Sequence, residues 1–240
     1  MTPPPGIAVR GLGLDYGGAP VFTGLDFDLG PGRFTALLGP SGVGKTSLLR
    51  ILAGLAAPDA GTVAASDGLP LAGRVAYMAQ QDLLLPWAGA LKNVTLGDRL
   101  RGSRPDRARA AGLLGQVGLA GRENALPAQL SGGQRQRVAL ARTLYEDRPV
   151  VLLDEPFSAL DAITRARIQE LAAELLAGRT CLLITHDPAE ACRLGHSLLV
   201  LNGAPPQLAS PLAVPGDPPR AADDPEILAI QGRLMRRLSQ

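Results

Sequence analysis

Three clusters of residues in this sequence have the types and spacing to handle phosphate. The first is Gly39-Pro40-Ser41-Gly42-Val43-Gly44-Lys45-Thr46, which fits the pattern G-x-x-x-x-G-K-[ST]. It follows Phe34-Thr35-Ala36-Leu37-Leu38, read as a buried strand, and precedes Ser47-Leu48-Leu49-Arg50-Ile51-Leu52-Ala53, read as the first turns of a helix. Glycines there let the backbone curl so that successive N–H groups face inward. The helix N-terminus adds partial positive charge, so the loop suits phosphate oxygens. Lys45 would reach the β/γ-phosphates of a nucleotide, and the Thr46 hydroxyl would hold Mg²⁺. Lys45 and Lys92 are the only lysines in a chain that otherwise uses arginine, which speaks against an ordinary Gly-rich turn.

The second cluster ends an apolar run, Pro149-Val150-Val151-Leu152-Leu153-Asp154-Glu155-Pro156. Two acids closing a run of four aliphatics are costly unless a metal or donors meet them. Asp154 suits a Mg²⁺ shell, and Glu155 can face the γ-phosphate and accept a proton from attacking water. Ser158-Ala159-Leu160-Asp161 continues as a tight loop before a helix expected over 162–176. The third cluster is Leu130-Ser131-Gly132-Gly133-Gln134. Ser131 can cap a helix beginning near Gly133, and the glycines expose its first N–H groups, making a second helix end suited to an anion. One chain rarely needs two such sites for one nucleotide.

Single residues join these clusters with less support. Arg74-Val75-Ala76-Tyr77-Met78 reads as a short strand running into Ala79-Gln80-Gln81-Asp82. An amide at a strand end can ligate Mg²⁺ or orient water through its carbonyl oxygen, although such residues are more often plain loop. His186 caps the strand-like run 179–185. A lone histidine is usually structural, but one placed in parallel beside Asp154 and Glu155 would contact the γ-phosphate, because ligands bind beyond the carboxyl ends of such strands. Tyr16 sits in Asp15-Tyr16-Gly17-Gly18, read as a turn. It is either an adenine-stacking platform or a half-buried loop tyrosine. His196 has no such context and reads as ordinary surface or core.

The elements that must position these residues alternate between strand and helix, an α/β pattern. Strand signals lie at 7–10, 22–29, 62–64, 74–78, 179–185 and 197–201. Residues 91–121 change to helical periodicity, so a helical subdomain is expected at about 88–145, inserted in the α/β core. Residues 204–220 are Pro-rich and read as irregular, and 225–238 read as an Arg-bearing amphipathic helix. The division expected is a nucleotide-binding domain over 1–220 and a helical tail over 221–240. Trp87, the only tryptophan, follows Leu83-Leu84-Leu85-Pro86 and is either an exposed partner knob or a local core anchor.

Bulk composition narrows the class. A chain of 240 residues with 46% hydrophobic and 3% aromatic residues suits an α/β protein filled with Leu, Val and Ala. Its net charge of +2 does not predict a nucleic-acid binder, and the arginines at 104–109 have no aromatics among them. Cys181 and Cys192 lack metal-ligand spacing and read as free thiols in a reducing compartment. No run approaches a membrane span of ~18 apolar residues. Met1-Thr2-Pro3-Pro4-Pro5-Gly6 lacks the form of a secretory signal. A soluble, cytoplasmic chain is therefore expected, with any membrane role supplied by a partner.

Taken together, the phosphate loop at 39–46, Leu130-Ser131-Gly132-Gly133-Gln134, the 150–154 strand with Glu155, the 158–161 loop and His186 resemble the ATP-binding subunits of ABC transporters in the order of that family, over nearly the whole chain. The resemblance implies a P-loop NTPase core of ABC ATPase type, with an inserted α-helical subdomain and an N-terminal antiparallel β region. It implies ATP hydrolysis with Mg²⁺, Tyr16 as the adenine-stacking residue, and a site glutamine at Gln80, counting back from Leu84-Leu85-Pro86-Trp87, with Gln81 the alternative. It further implies a head-to-tail dimer of two copies. Each ATP would lie between one phosphate loop and the partner's 131–134 segment, with Asp161 in the nucleotide-binding set. The Leu84-Leu85-Pro86-Trp87 segment looks like bacterial importers of the nitrate, sulfonate, taurine and pyrimidine-precursor group. In these the region meets a membrane permease, served by an extracytoplasmic solute-binding protein, and the ATPase lies on the cytoplasmic face of the inner membrane. Tyr77-Met78-Ala79-Gln80-Gln81-Asp82 hints at a thiamine-precursor pyrimidine branch. The competing readings are a soluble ABC ATPase of DNA repair or translation, an exporter's ATPase subunit, and a simple P-loop kinase. Only 84 residues separate Thr46 from Ser131, with no heptad run, which argues against the chromosome type. A kinase would need neither 131–134 nor His186.

Overall fold

A computed structural model describes residues 3–238. Met1, Thr2, Ser239 and Gln240, at the ends of the expected domain and tail, lie outside the described residues. The chain begins with a hairpin, β1 (Ile7–Tyr16) and β2 (Ala19–Leu29), joined by Gly17-Gly18 alone. Both glycines have positive φ, 65° and 88°, the condition for a two-residue turn whose twist matches the strands. The turn is thus shorter than expected, because Asp15 and Tyr16 pair with Pro20 and Ala19. The first strand is correspondingly longer than 7–10. Its glycines at 11 and 13 suggest a break, but the chain shifts register there and goes on pairing at both edges. β4 (Ala60–Ala65) takes the other edge of β1, giving an antiparallel sheet of order β2-β1-β4.

The second sheet holds β3 (Phe34–Leu38), β5 (Val75–Met78), β6 (Val150–Asp154), β7 (Thr180–Ile184), β8 (Ser197–Asn202), β9 (Gln207–Leu208) and β10 (Leu212–Ala213). Its order is β10-β8-β3-β7-β6-β5, with β9 antiparallel on β8. The path from β8 to β5 is parallel throughout. Every residue of β3, β6 and β7 is buried, which is why these strands read as continuous apolar runs rather than alternating ones. Parallel order has a direct consequence for chemistry. The segments leaving β3, β7, β6 and β5 emerge side by side at one edge of the sheet, and they carry the phosphate loop, His186, Asp154-Glu155 and Gln80 respectively.

Helices cover the sheet. α1 (Lys45–Leu52) packs between the two sheets, in a core with Phe22, Leu37 and Leu182. The opposite face is covered by α2 (Ala90–Val94), α4 (Arg107–Gln116), α5 (Gly132–Tyr145) and α6 (Ala162–Leu175), with the short α3 (Leu96–Leu100) at the rim. α7 (Pro188–Leu194) and α8 (Pro225–Leu238) close the β8 end, where Ile227, Ile230 and Leu234 are buried against Leu198 and Val200. The amphipathic face read at 225–238 is therefore spent inside the fold.

The Pro-rich 204–220 stretch is more ordered than its composition suggests. It contains β9 and β10, and it ends at Arg220, which is 6% exposed. The Arg220 guanidinium donates to the carbonyls of Cys192, Gly195, Val214 and Gly216. One buried arginine thus supplies the order that sequence periodicity does not signal. Cys181 and Cys192 are free and buried, and burial pushes their thiols up to about 12 and about 11. Among the described residues no helix is long and apolar enough to cross a membrane.

Candidate functional site

The phosphate loop is pinned at both ends by positions where only glycine fits. A Cβ on Gly39 would lie 2.1 Å from the Leu201 carbonyl oxygen. One on Gly44, where φ is 102°, would lie 2.6 Å from the Val21 side chain. Lys45 opens α1 and folds back across the loop, its Nζ donating to the carbonyls of Gly39 and Pro40 at 2.9 and 2.7 Å. Burial lowers the Lys45 pKa, while the charges of Glu155 and Asp154 oppose that shift. Next to it, the Thr46 hydroxyl donates to Asp154 Oδ2 at 2.8 Å. Asp154 is 1% exposed, and burial raises its pKa against the pull of the Thr46 hydrogen bond.

Glu155 lies one residue further, at the mouth. Its Oε2 is 3.4 Å from Gln80 Nε2 and 3.4 Å from His186 Nδ1, so the carboxylate sits between an amide and an imidazole. Of the two glutamines left open by the sequence, Gln80 lines the cavity of about 260 Å³ shared by Ser41, Gly42, Gly44, Lys45, Thr46, Ser47, Asp154 and Glu155. Gln81 does not reach that cavity; it lines only the neighbouring cleft, which Gln80 also borders, with Asp82, Leu83, Gly132 and Arg135. Thr46, Asp154 and Gln80 together offer a hydroxyl, a carboxylate and an amide, a hard-oxygen set that suits Mg²⁺. The described residues hold no cluster of three or more His, Cys, Asp or Glu side chains that could cage a metal. A cation held here would therefore complete its shell with phosphate oxygens and water, the usual habit of Mg²⁺.

Tyr16 stands at the other end of the loop, 59% exposed. It borders an open cleft of about 810 Å³ with Ala19, Pro20, Val21, Pro40, Ser41, Gly42, Val43 and the 203–206 turn. That turn and Val21 were not singled out in the sequence. They lie far from the loop along the chain and carry no reactive groups. His196 is structural as expected: its Nδ1 accepts from the Phe34 N–H at 3.0 Å.

The remaining residues lie elsewhere. Ser131 caps α5, its Oγ accepting from the Gln134 N–H while Gln134 Oε1 accepts from the Ser131 N–H, a reciprocal capping box. Asp161 caps α6 by accepting from the Thr164 N–H. Neither cavity at the phosphate loop is lined by Ser131, Gly132, Gly133, Gln134 or Asp161. The α5 N-terminus is thus an exposed helix end ready for an anion, apart from the chain's own loop. Trp87 is 75% exposed, so it is a knob and not a core anchor. It borders a groove of about 1060 Å³ whose charged lining is Lys92, Arg99, Arg104 and Arg107 with Asp106 and Glu123.

Comparison with known proteins shows the family. Residues 22–158 match the ABC transporter family model. The chain is 45% identical over 237 residues to the aliphatic sulfonates import ATP-binding protein SsuB 1 of Rhodococcus jostii, covering 98% of this chain and 94% of that protein. It is 46% identical over 235 residues to the protein of the same name from Pseudomonas fluorescens, covering 97% and 86%. Among solved structures, the dimeric post-hydrolysis state of the ATP-binding cassette MJ0796 bound to ADP and Pi matches with a TM-score of 0.78 at 30% identity, over 88% of this chain and 99% of that one. With the family model spanning more than half of the sequence and relatives matching nearly all of it, the chain belongs to the ABC transporter family, as an ATP-hydrolysing cassette.

Proposed function

We propose that this chain hydrolyses ATP to energise the import of a small anionic solute of the aliphatic sulfonate kind. What supports the solute class is the likeness to sulfonate import subunits over 98% of the chain at 45% identity. In this reading Tyr16 stacks on the adenine, and 39–46 wraps the phosphates with Lys45 at the β/γ end. Thr46, Asp154 and Gln80 hold Mg²⁺, which neutralises phosphate charge. Glu155 takes the proton of the attacking water, with Gln80 and His186 fixing its carboxylate. The 131–134 segment and Asp161 act on the ATP of a second copy, packed head to tail. A C2 pair of this kind uses the same two surfaces on each copy and closes after two, giving two equivalent sites.

The exposed Trp87 and the groove beside it, lined by four cations and two carboxylates, are read as the seat of a membrane permease on the cytoplasmic side. The solute-binding protein meets the permease and not this chain. The soluble DNA-repair or translation reading and the exporter reading have no comparable support. The test is to isolate the chain from detergent-solubilised membranes of its own cells and identify what accompanies it. A multi-span permease is expected, in a complex whose ATP turnover rises with an aliphatic sulfonate and not with nitrate or a pyrimidine. Recovery in the soluble fraction with ribosomal or DNA proteins would overturn the importer reading.

A further inference from the structure

Glu155 occupies a backbone conformation that has to be held. Its φ is 48°, in the left-handed region that residues with a Cβ avoid. Pro156 follows and has no N–H with which to fix the turn. On the amino side, the Glu155 N–H donates to the Ile184 carbonyl at 3.0 Å. On the carboxyl side the peptide is held by side chains. Gln136 Nε2 donates to the Glu155 carbonyl at 2.9 Å, and Ser158 Oγ donates to the same oxygen at 3.0 Å. Gln136 Oε1 meanwhile accepts from the Ala159 N–H at 2.9 Å, and its Nε2 also lies 3.2 Å from Ser158 Oγ.

Gln136 is therefore a fork whose two arms grip both ends of the turn that follows β6. It is 6% exposed, so water does not compete for these bonds. It stands on α5 two residues past Gln134, and the start of that helix is pressed against the same loop: a Cβ on Gly133 would lie 2.9 Å from the Ala159 carbonyl oxygen. We infer that Gln136 is a positioning residue for hydrolysis. It sets the Glu155 peptide, and so aims the carboxylate that lies between Gln80 and His186. This rests on the reading of Glu155 as the base.

The test compares Gln136→Glu and Gln136→Leu with the parent and with Glu155→Gln, in the complete transporter. Gln136→Glu keeps the size and the acceptor for Ala159 but loses the donor to Glu155. Gln136→Leu loses both arms. For Gln136→Glu, kcat is expected to fall about 10–10²-fold, the scale of a small misplacement of a reacting group, while the ATP concentration for half-saturation stays within about twofold. Acting through Glu155 has a signature that mere destabilisation lacks. The single-turnover rate of the Gln136→Glu/Glu155→Gln pair should equal that of Glu155→Gln alone, whereas general damage would lower both backgrounds by one factor. Parent-like turnover by Gln136→Glu, or a fall in the paired variant equal to that in the parent background, overturns the inference. If Gln136→Leu does not fold, Gln136→Glu decides alone. If Glu155→Gln itself turns over at the parent rate, the base assignment fails and the inference falls with it. An inactive Glu155→Gln beside a fully active Gln136→Glu removes only the inference.

Discussion

Glu190 carries its carboxyl in a place that disfavours charge. It lies on α7, 6% exposed, and burial pushes its pKa up from 4.5 to about 7, with the Asp187 charge adding to the rise. Hydrogen bonds from Thr185 and Gln169, and the Arg165 charge, oppose the shift without cancelling it. The sign follows from proton counting. Between pH 4.5 and about 7 the folded chain holds a proton that the unfolded chain has lost, so stability falls as pH rises through that window and is level above it. The full loss is about 3 kcal/mol, taking ~1.4 kcal/mol per pKa unit. Glu190→Gln should flatten the pH dependence of urea unfolding over that window and raise stability above it. An unchanged slope would show that the carboxyl ionises freely where it is. Residues of this kind explain how far the sequence can be read. Lys45, Thr46, Asp154 and Glu155 were legible because a phosphate site demands those types at those spacings. Gln80 and Gln81 could not be separated, because a loop has no period that says which side chain turns inward. Gln136 was silent, since a glutamine among arginines on a helix reads as solvated face, and only the positive φ of Glu155 gives it a task.

At the scale of elements, the segment from Gln80 to Trp87 is held without regular structure of its own. Arg142, on α5, reaches under it and donates to the carbonyls of Asp82 and Leu83 at 2.7 and 2.9 Å. Arg135, on the same helix, pairs with the Asp82 carboxylate at 2.9 Å. Leu83 takes a left-handed φ of 45° although it is 60% exposed and gains no burial in return. Further along, Asn93 accepts from the Leu85 N–H and donates to the Ala88 carbonyl. Two helices thus tie down the segment between the glutamine at the site and the apolar knob at the surface, α5 at Asp82 and Leu83 and α2 at Leu85 and Ala88. Arg142→Ala removes two charge-assisted hydrogen bonds and should cost about 1–3 kcal/mol. Arg135→Ala breaks a half-exposed pair and should cost less than about 1 kcal/mol. Equal urea midpoints for the parent and Arg142→Ala would show that the loop holds itself. Element boundaries were legible where burial is two-sided, as in β3, β6 and β7, and where apolar residues recur at helical spacing. They were misread where tertiary contacts override local signals: the glycines of β1, which pairing at both edges carries through, and the prolines before Arg220, which its guanidinium ties down.

At the scale of the whole molecule, the feature to explain is that two anion-ready helix ends lie apart in one chain. The α1 N-terminus has Lys45 and the carboxylates; the α5 N-terminus has neither, and Ser131 and Gly132 at its tip are exposed. In the head-to-tail pair proposed above, each tip would meet a nucleotide and ATP would act as the glue; a matched cassette has been solved as a dimer. Ser131→Arg tests this directly. It puts a bulky cation where a partner's phosphates would sit and removes the hydroxyl that caps Gln134. The lost cap costs about 1 kcal/mol, so Ser131→Asn, which keeps a capping side chain, separates helix damage from blockage. Since Tyr16 and 39–46 are remote from the change, ATP binding by the single chain should stay within about twofold of the parent, because distant sites behave independently. ATP-driven dimerisation, followed by light scattering, should vanish in Ser131→Arg and persist in Ser131→Asn if the asparagine leaves the tip open. A Ser131→Arg chain that still pairs on adding ATP would mean that the α5 end meets no nucleotide, and the chain's second anion site would need another ligand.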